Sequence, residues 1–158
     1  MSERALRATD VPAAAELLAC DPCWMDNGER PSWVLDSIGG DPAGEHSALG
    51  SFDGDELRAF VSLNFVAGDD RTGAISCVAR ADEGSGIAAL SAAVKELSAG
   101  GVRLIVAELP DVAGMRSYAE LLKLAGFAEE AYVNDYYADG IGMRIFVARL
   151  ANRNGSGK

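Results

Sequence analysis

The stretch Glu83-Gly84-Ser85-Gly86-Ile87-Ala88 lies between a predicted strand that ends near Ala79 and a predicted helix that begins near Gly86. The first N–H groups of a helix have no intrahelical partner and lie at the positive end of its dipole. Glycines in such a turn let the backbone approach a phosphate closely. The stretch is therefore suited to binding an anion, although the same pattern is typical of a tight turn from a strand to a helix.

Regular periodicities extend in both directions from this turn. Upstream, we predict a strand over 5–9, a helix over 11–19 that Asp10 caps, a loop over 20–31, a short helix over 33–38, a hairpin of strands over 47–52 and 56–66, and a strand over 72–79. Downstream, we predict a helix that ends at Gly100-Gly101, a strand over 103–108, a helix over 115–124 and strands near 129–134 and 144–150. This order predicts an α/β fold with a mixed sheet and helices on both faces.

Composition narrows the class of protein. The 158 residues, 49% hydrophobic and 24% charged, suit one compact domain over 1–150 with a mobile tail over 151–158. No apolar run is long enough for a membrane helix, and charges near Met1 argue against a signal peptide, so we expect a cytoplasmic protein. The net charge of −10 disfavours nucleic acid and favours a cationic small molecule or peptide.

The turn and the segments after it resemble the GNAT superfamily of acyl-CoA N-acyltransferases. The family's acetyl-CoA motif, Gln/Arg-x-x-Gly-x-Gly/Ala, is similar to residues 83–88, five residues after Val78. The AELLKLAGF stretch over 119–127 resembles the family's helix that ends in Gly-Phe. The DYYADG stretch over 135–140 resembles the last hairpin of one small-molecule acetyltransferase branch. The resemblance is specific from Thr72 onward and vague over 20–46.

The resemblance implies a site and a co-substrate. Acetyl-CoA would lie where the strand around 76–79 splays from the strand around 103–108. The N–H of Val78, with Ala79 beside it, would bind the thioester oxygen, and the N–H groups over 84–88 would hold the pyrophosphate. A general base would take a proton from the amine, and a tyrosine would protonate the leaving thiolate. Dimerisation is common in this family, so a homodimer is compatible with the resemblance.

Three positions depart from the family pattern. Glu83 replaces the usual Gln or Arg, and a carboxylate beside a pyrophosphate is repulsive unless it points to solvent. Leu122 replaces the usual acid tyrosine, and Tyr118, one turn earlier on the same helix face, is the substitute or else a core aromatic. The strand over 72–78 contains no obvious general base. Glu108 is therefore the leading candidate for the base, and the alternative is that it is only a solvated residue at the end of its strand.

Substrate contacts are predicted in two regions. Trp24, Asp26 and Trp33 lie in the stretch that forms the acceptor pocket in relatives, although a core or dimer role suits both tryptophans better. Asp135 and Tyr137 in the last hairpin are candidates for contacting the substrate, but their residue types also suit a turn and a strand.

Two other classes of protein stay open. The departures at Glu83 and Leu122 favour a degenerate domain that binds CoA or a partner without catalysis. The Cys-x-x-Cys pair of Cys20 and Cys23 suggests a thiol redox or metal protein. His46 is the only histidine, so a zinc site would lack ligands, and we predict no metal.

Overall fold

The computed structural model describes residues 1–25, 32–36, 38–39, 46–65 and 71–150. Its centre is a seven-stranded sheet in the order β1-β2-β3-β4-β5-β7-β6. The strands are β1 Ser2–Ala5, β2 His46–Asp53, β3 Glu56–Phe65, β4 Thr72–Arg80, β5 Leu104–Pro110, β6 Ala128–Ala138 and β7 Ile141–Arg149. All neighbouring strands are antiparallel except β4 and β5, which are parallel. The predicted mixed sheet is confirmed.

Five α-helices accompany the sheet among the described residues. They are α1 Val11–Cys20, α2 Pro22–Met25, α3 Ser32–Asp36, α4 Glu83–Ala99 and α5 Arg116–Leu124. The strand-helix-strand unit of β4, α4 and β5 supplies the parallel pair, because a parallel connection needs a crossover of this length. Within the described part of the chain, none of these helices is long and apolar enough to cross a membrane.

The core covers both faces of the central strands. Successive residues of a strand point to opposite faces, yet Ala59, Phe60 and Val61 of β3 are all fully buried, as are Cys77 and Val78 of β4. Helices α1 and α4 both pack against these two strands. Burial on both faces explains why the strongest apolar runs in the sequence fall at the centre of the sheet.

The first strand was predicted in the wrong place, since β1 ends at Ala5 and residues 8–10 form a 3-10 turn. Asp10 also acts differently from the prediction. Its carboxylate accepts the N–H of Arg7 at 2.7 Å and pairs with the Arg4 guanidinium at 2.8 Å, instead of capping α1. The reason is local: the turn brings Asp10 back onto the end of β1, where the charged Arg4 guanidinium is a stronger donor than the N–H groups of α1.

One further difference lies before the central strands, and two predictions fall on residues that the structure does not describe. The predicted loop over 20–31 contains the short helix α2. The predicted tail over 151–158 and the candidate Asp26 lie outside the described residues.

The outer edge of the sheet is formed by β6. This strand pairs only with β7 and is exposed along its whole length. Tyr132, Val133 and Tyr136 are among its most exposed apolar side chains. Its pairing with β7 is interrupted between Val133 and Ala138, where Asp135 adopts a positive φ of 52°. The edge therefore carries aromatic side chains on an irregular segment.

Candidate active site

The parallel strands β4 and β5 pair over only part of their length. Thr72–Ile75 pairs with Leu104–Ala107, and no pairing between the two strands follows. Against β3, Ile75 lies opposite Leu63 while Cys77 lies opposite Ser62, so Ser76 is an extra residue. An extra residue bends a strand and ends its regular pairing. The predicted splay between these strands is confirmed, and it opens a gap beyond Ser76.

The gap is closed by side chains from the segment Asp21–Trp24. The Asp21 carboxylate accepts the backbone N–H of Arg80 at 3.0 Å. The Trp24 indole donates to the backbone carbonyl of Val78 at 2.7 Å. Alternate residues of an antiparallel strand face the same neighbour, so the N–H of Val78 points to the same side as these two groups. The edge of β4 beyond its bulge is therefore paired with side chains instead of a strand.

A buried polar cluster continues from Asp21 toward α5. The second Asp21 oxygen accepts the N–H of Cys23 at 2.9 Å, and the Cys23 sulfur lies 3.0 Å from the Ser117 hydroxyl. The Arg80 guanidinium lies 3.8 Å from both the Asp21 carboxylate and the Cys23 sulfur. Asp21 is 1% exposed, so this carboxylate needs the cluster to compensate its lost hydration. Burial raises the pKa of the Cys23 thiol.

Tyr118 lies beneath the same segment. Its ring is 5.9 Å from the ring of Trp24, and the residue is 1% exposed. Its hydroxyl has no hydrogen-bond partner among the described residues. Burial raises its pKa well above the ordinary value for tyrosine. Leu122, one turn further along α5, is fully buried as well. In this conformation neither Leu122, at the family's usual position of the acid, nor its predicted substitute Tyr118 reaches solvent.

The glycine turn differs from the prediction, because α4 begins at Glu83 and not near Gly86. Asp82 is the N-cap, and its carboxylate accepts the Ser85 N–H at 2.8 Å and the Ser85 hydroxyl at 2.7 Å. These bonds, the backbone one above all, lower the pKa of Asp82. The Gly86 N–H is bonded to the Asp82 carbonyl at 3.1 Å. Within the described part of the chain, the N–H groups of Glu83 and Gly84 are the ones in this turn without a partner.

The two glycines of the turn have different surroundings. A Cβ on Gly86 would lie 2.7 Å from Cδ of Arg80 and 3.1 Å from a methyl of Leu121. A Cβ on Gly84 would meet only the Asp82 carboxylate, at 3.4 Å. Gly86 is therefore required for close packing of α4 against β4 and α5, whereas Gly84 is not.

A cavity of about 410 Å³ lies beside the point where β4 and β5 separate. It is lined by side chains from β3, β4, β5, β6 and α3, among them Trp33, Asn64, Ser76, Glu108 and Tyr137. Trp33 is 53% exposed and Tyr137 is 45% exposed. Burial and the nearby Glu108 charge raise the pKa of Tyr137. Three predicted site residues, Trp33, Glu108 and Tyr137, are thus brought into one cavity.

Other predicted site residues lie elsewhere. Trp24 is buried against Val78, and Tyr118 lies beneath it. The Asp135 carboxylate accepts the Gly140 N–H at 2.7 Å, which is the turn role that its residue type also allowed. A second cavity of about 630 Å³ lies between β1, β2 and α4 and includes only Ala88 of the predicted residues.

Sequence reasoning missed Asp21, Arg80, Asp82 and Ser117. Asp21 lies in the predicted loop over 20–31, and no sequence pattern distinguishes a buried aspartate from an exposed one before the fold is known. Asp82 carried a usable signal, since aspartate is one of the residues preferred at the N-cap directly before a helix.

The two cysteines of the Cys-x-x-Cys pair have different surroundings. Cys20 is exposed, whereas Cys23 is fully buried in the cluster. A raised thiol pKa opposes formation of the reactive thiolate. Among the described residues, no group of three or more His, Cys, Asp or Glu side chains is arranged to hold a metal ion.

No protein-family model and no curated protein matches this sequence. Solved structures match its fold over nearly the whole chain. A protein assigned to the GNAT family of acetyltransferases from Desulfovibrio desulfuricans is 18% identical, with a TM-score of 0.82 over 95% of this chain and 99% of that one. The aminoglycoside 6'-N-acetyltransferase from Enterococcus faecium is 11% identical, with a TM-score of 0.76 over 97% and 99%. The ribosomal-protein-alanine N-acetyltransferase from Brucella melitensis is 14% identical, with a TM-score of 0.69 over 95% and 100%. The chain therefore has the GNAT fold.

Proposed function

We propose that this protein is a cytoplasmic N-acetyltransferase that moves the acetyl group of acetyl-CoA to the amine of a cationic small molecule or peptide. One observation carries the proposal: Glu108, Trp33 and Tyr137 line a single cavity beside the separation of β4 and β5. The GNAT fold supports it, since the solved neighbours include enzymes named for amine substrates, an aminoglycoside and a ribosomal-protein alanine.

The cavity suits an ammonium group. Aromatic faces attract cations, and Trp33 and Tyr137 are both partly exposed there. Glu108 is exposed and adds the negative charge. In the proposed reaction, Glu108 holds the ammonium and accepts its proton directly or through water, which produces the neutral amine that attacks. A substrate with one cation and an apolar or aromatic body fits this lining better than a polycation.

Acetyl-CoA would supply the activated acetyl group. In the described conformation the gap does not accept its arm, because Asp21 and Trp24 already occupy the Arg80 N–H and the Val78 carbonyl. The Val78 N–H remains our candidate for holding the thioester oxygen, with Ala79 beside it. At the start of α4, the N–H groups of Glu83 and Gly84 are available to bind a phosphate. Phosphate binding by the N–H groups of 85–88, as predicted, would require the first turn of α4 to open.

The test is a thiol-release assay with the full chain, acetyl-CoA and a panel of amines. The panel contains an aromatic monoamine, an aliphatic polyamine, an aminoglycoside and a peptide with an N-terminal alanine. We expect turnover with the aromatic monoamine and a fall of at least about tenfold in kcat/KM for that amine in Glu108→Gln. Glu120→Gln, an exposed change on α5 outside the cavity, is the control. Equal turnover of Glu108→Gln and wild type would remove Glu108 as the base.

A binding domain without catalysis is the second candidate. The burial of Tyr118 favours it, because the hydroxyl predicted to protonate the thiolate is not accessible in this conformation. Calorimetry separates the two candidates: a binder gives heat with acetyl-CoA but releases no thiol with any amine. A thiol-based function would instead require fast modification of both Cys20 and Cys23 in the folded protein. Burial of Cys23 predicts that only Cys20 reacts quickly.

A further inference from the structure

We propose that the segment Asp21–Trp24 is a gate that closes the acyl-CoA gap from within the chain and must withdraw before acetyl-CoA binds. The proposal rests on the proposed function, because it names the event that controls access to the same site. Strands β4 and β5 leave a gap where acetyl-CoA would bind, yet the side chains of Asp21 and Trp24 fill that gap.

The gate bonds to β4 as a ligand arm would. Beyond the Ser76 bulge, β4 has no strand on the β5 side, so its backbone groups need other partners. Asp21 supplies an acceptor to the Arg80 N–H, and Trp24 supplies a donor to the Val78 carbonyl. If the amide-containing arm of acetyl-CoA lay in the gap, it would have to replace the side chains of both Asp21 and Trp24. The gate and the arm therefore compete for the same backbone atoms.

The gate is a short element of the chain, separate from α1. Helix α1 ends at Cys20, and Asp21 adopts an extended conformation with ψ of 120° before the short helix α2 begins at Pro22. The gate is held by polar bonds and by core packing: the Cys23 sulfur lies 3.0 Å from the Ser117 hydroxyl, Arg80 approaches at 3.8 Å, and both Cys23 and Trp24 are buried in the hydrophobic core. Withdrawal would exchange the polar bonds with water and would expose Trp24.

An independent observation lies beneath the gate. The Tyr118 hydroxyl is fully buried without a partner among the described residues, and Trp24 packs over its ring. An unpartnered buried hydroxyl is costly and calls for a functional explanation. Withdrawal of Trp24 uncovers Tyr118 at the gap, where its hydroxyl gains a partner and becomes available to the leaving thiolate.

Weakening the gate tests the proposal by calorimetry with acetyl-CoA. Asp21→Asn removes the charged acceptor, and Trp24→Phe removes the indole donor but keeps an aromatic ring. Apparent affinity is proportional to the open fraction, so we expect the dissociation constant to fall by about tenfold in Asp21→Asn and about fivefold in Trp24→Phe. Asp10→Asn, the same chemical change at the other end of α1, is the control and should leave affinity unchanged. Circular dichroism and thermal melts establish that each variant is folded.

Locking the gate tests the reverse direction. The Cys23 sulfur lies 3.0 Å from the Ser117 hydroxyl, so Ser117→Cys in a Cys20→Ser background places two thiols close enough to form a disulfide. We expect the oxidised variant to bind acetyl-CoA at least about tenfold more weakly than the same variant after reduction. Equal affinity in the oxidised and reduced states would overturn the gate.

The outcomes for the gate and for the proposed function differ. Binding by wild type that neither weakening nor locking alters overturns the gate and leaves the proposed function intact. Binding that appears only in Asp21→Asn and Trp24→Phe supports both. If neither wild type nor any folded variant binds acetyl-CoA, the proposed function and the gate both fail.

Discussion

Replacing Tyr118 with phenylalanine should make the folded protein more stable. The hydroxyl is buried, in a residue that is 1% exposed, and has no partner among the described residues. A buried polar group without a hydrogen bond costs about 1–3 kcal/mol of desolvation, while removing it leaves the ring and its packing against Trp24 in place. We expect Tyr118→Phe to raise the free energy of unfolding by about 1 kcal/mol, or Tm by about 3 °C for a chain of this length.

Chemical denaturation and calorimetric melting measure this change. The control is Tyr132→Phe, because the Tyr132 hydroxyl is exposed and donates to Asp111 at 3.0 Å. This partnered hydroxyl should give no stabilisation. In the thiol-release assay, Tyr118→Phe should lower kcat by about tenfold and leave KM for the amine unchanged if the hydroxyl protonates the thiolate. A destabilised Tyr118→Phe protein would refute the reasoning, since it would show that the hydroxyl has a partner.

Three further changes probe the glycine turn, the cavity and the amino-terminal ion pair. Gly86→Ala should cost about 1–2 kcal/mol of unfolding free energy because of the close contacts of its Cβ, whereas Gly84→Ala should cost little; equal losses by denaturant titration would contradict the packing role. Glu108→Gln should lower kcat/KM for the aromatic monoamine by at least about tenfold, and an unchanged value would exclude Glu108 as the base. Hydrogen bonding to Arg4 lowers the pKa of Asp10 from 3.8 to about 2, so its stabilisation is complete above about pH 4 and is lost as the pH falls to about 2. Asp10→Asn should therefore cost about 1 kcal/mol at neutral pH, after allowing for solvent screening, and nothing near pH 2; a difference that persists at pH 2 would contradict the assignment.

Much of the fold was predictable because its signals are local. Strands β3 and β5 were predicted over 56–66 and 103–108, and α5 was predicted over 115–124 before a Gly-Phe pair. The splay between β4 and β5 came from the family resemblance and is present. By contrast, β1 was misplaced, because a strand of Ser2–Ala5 is mostly exposed and has little periodicity to detect.

The candidate site was predicted less completely, since its parts meet only through the tertiary structure. Trp33, Glu108 and Tyr137 were each proposed separately, and the cavity that joins them depends on three distant elements. The role of Asp21 depends on an open β4 edge 59 residues away along the chain, which no local pattern records. Helix α4 begins at Glu83 and not near Gly86, because the Asp82 side chain caps the helix by accepting the Ser85 N–H.

The exposed edge strand β6 has a consequence for handling the protein. A free strand edge that carries Tyr132, Val133 and Tyr136 is a template for pairing with another chain. Glu129 and Glu130 are paired with Arg144 and Arg149, so it is the net charge of −10 on each chain that opposes such pairing through repulsion. The repulsion fades as the pH approaches the isoelectric point near 4.5, so aggregation should set in there before the fold itself is lost.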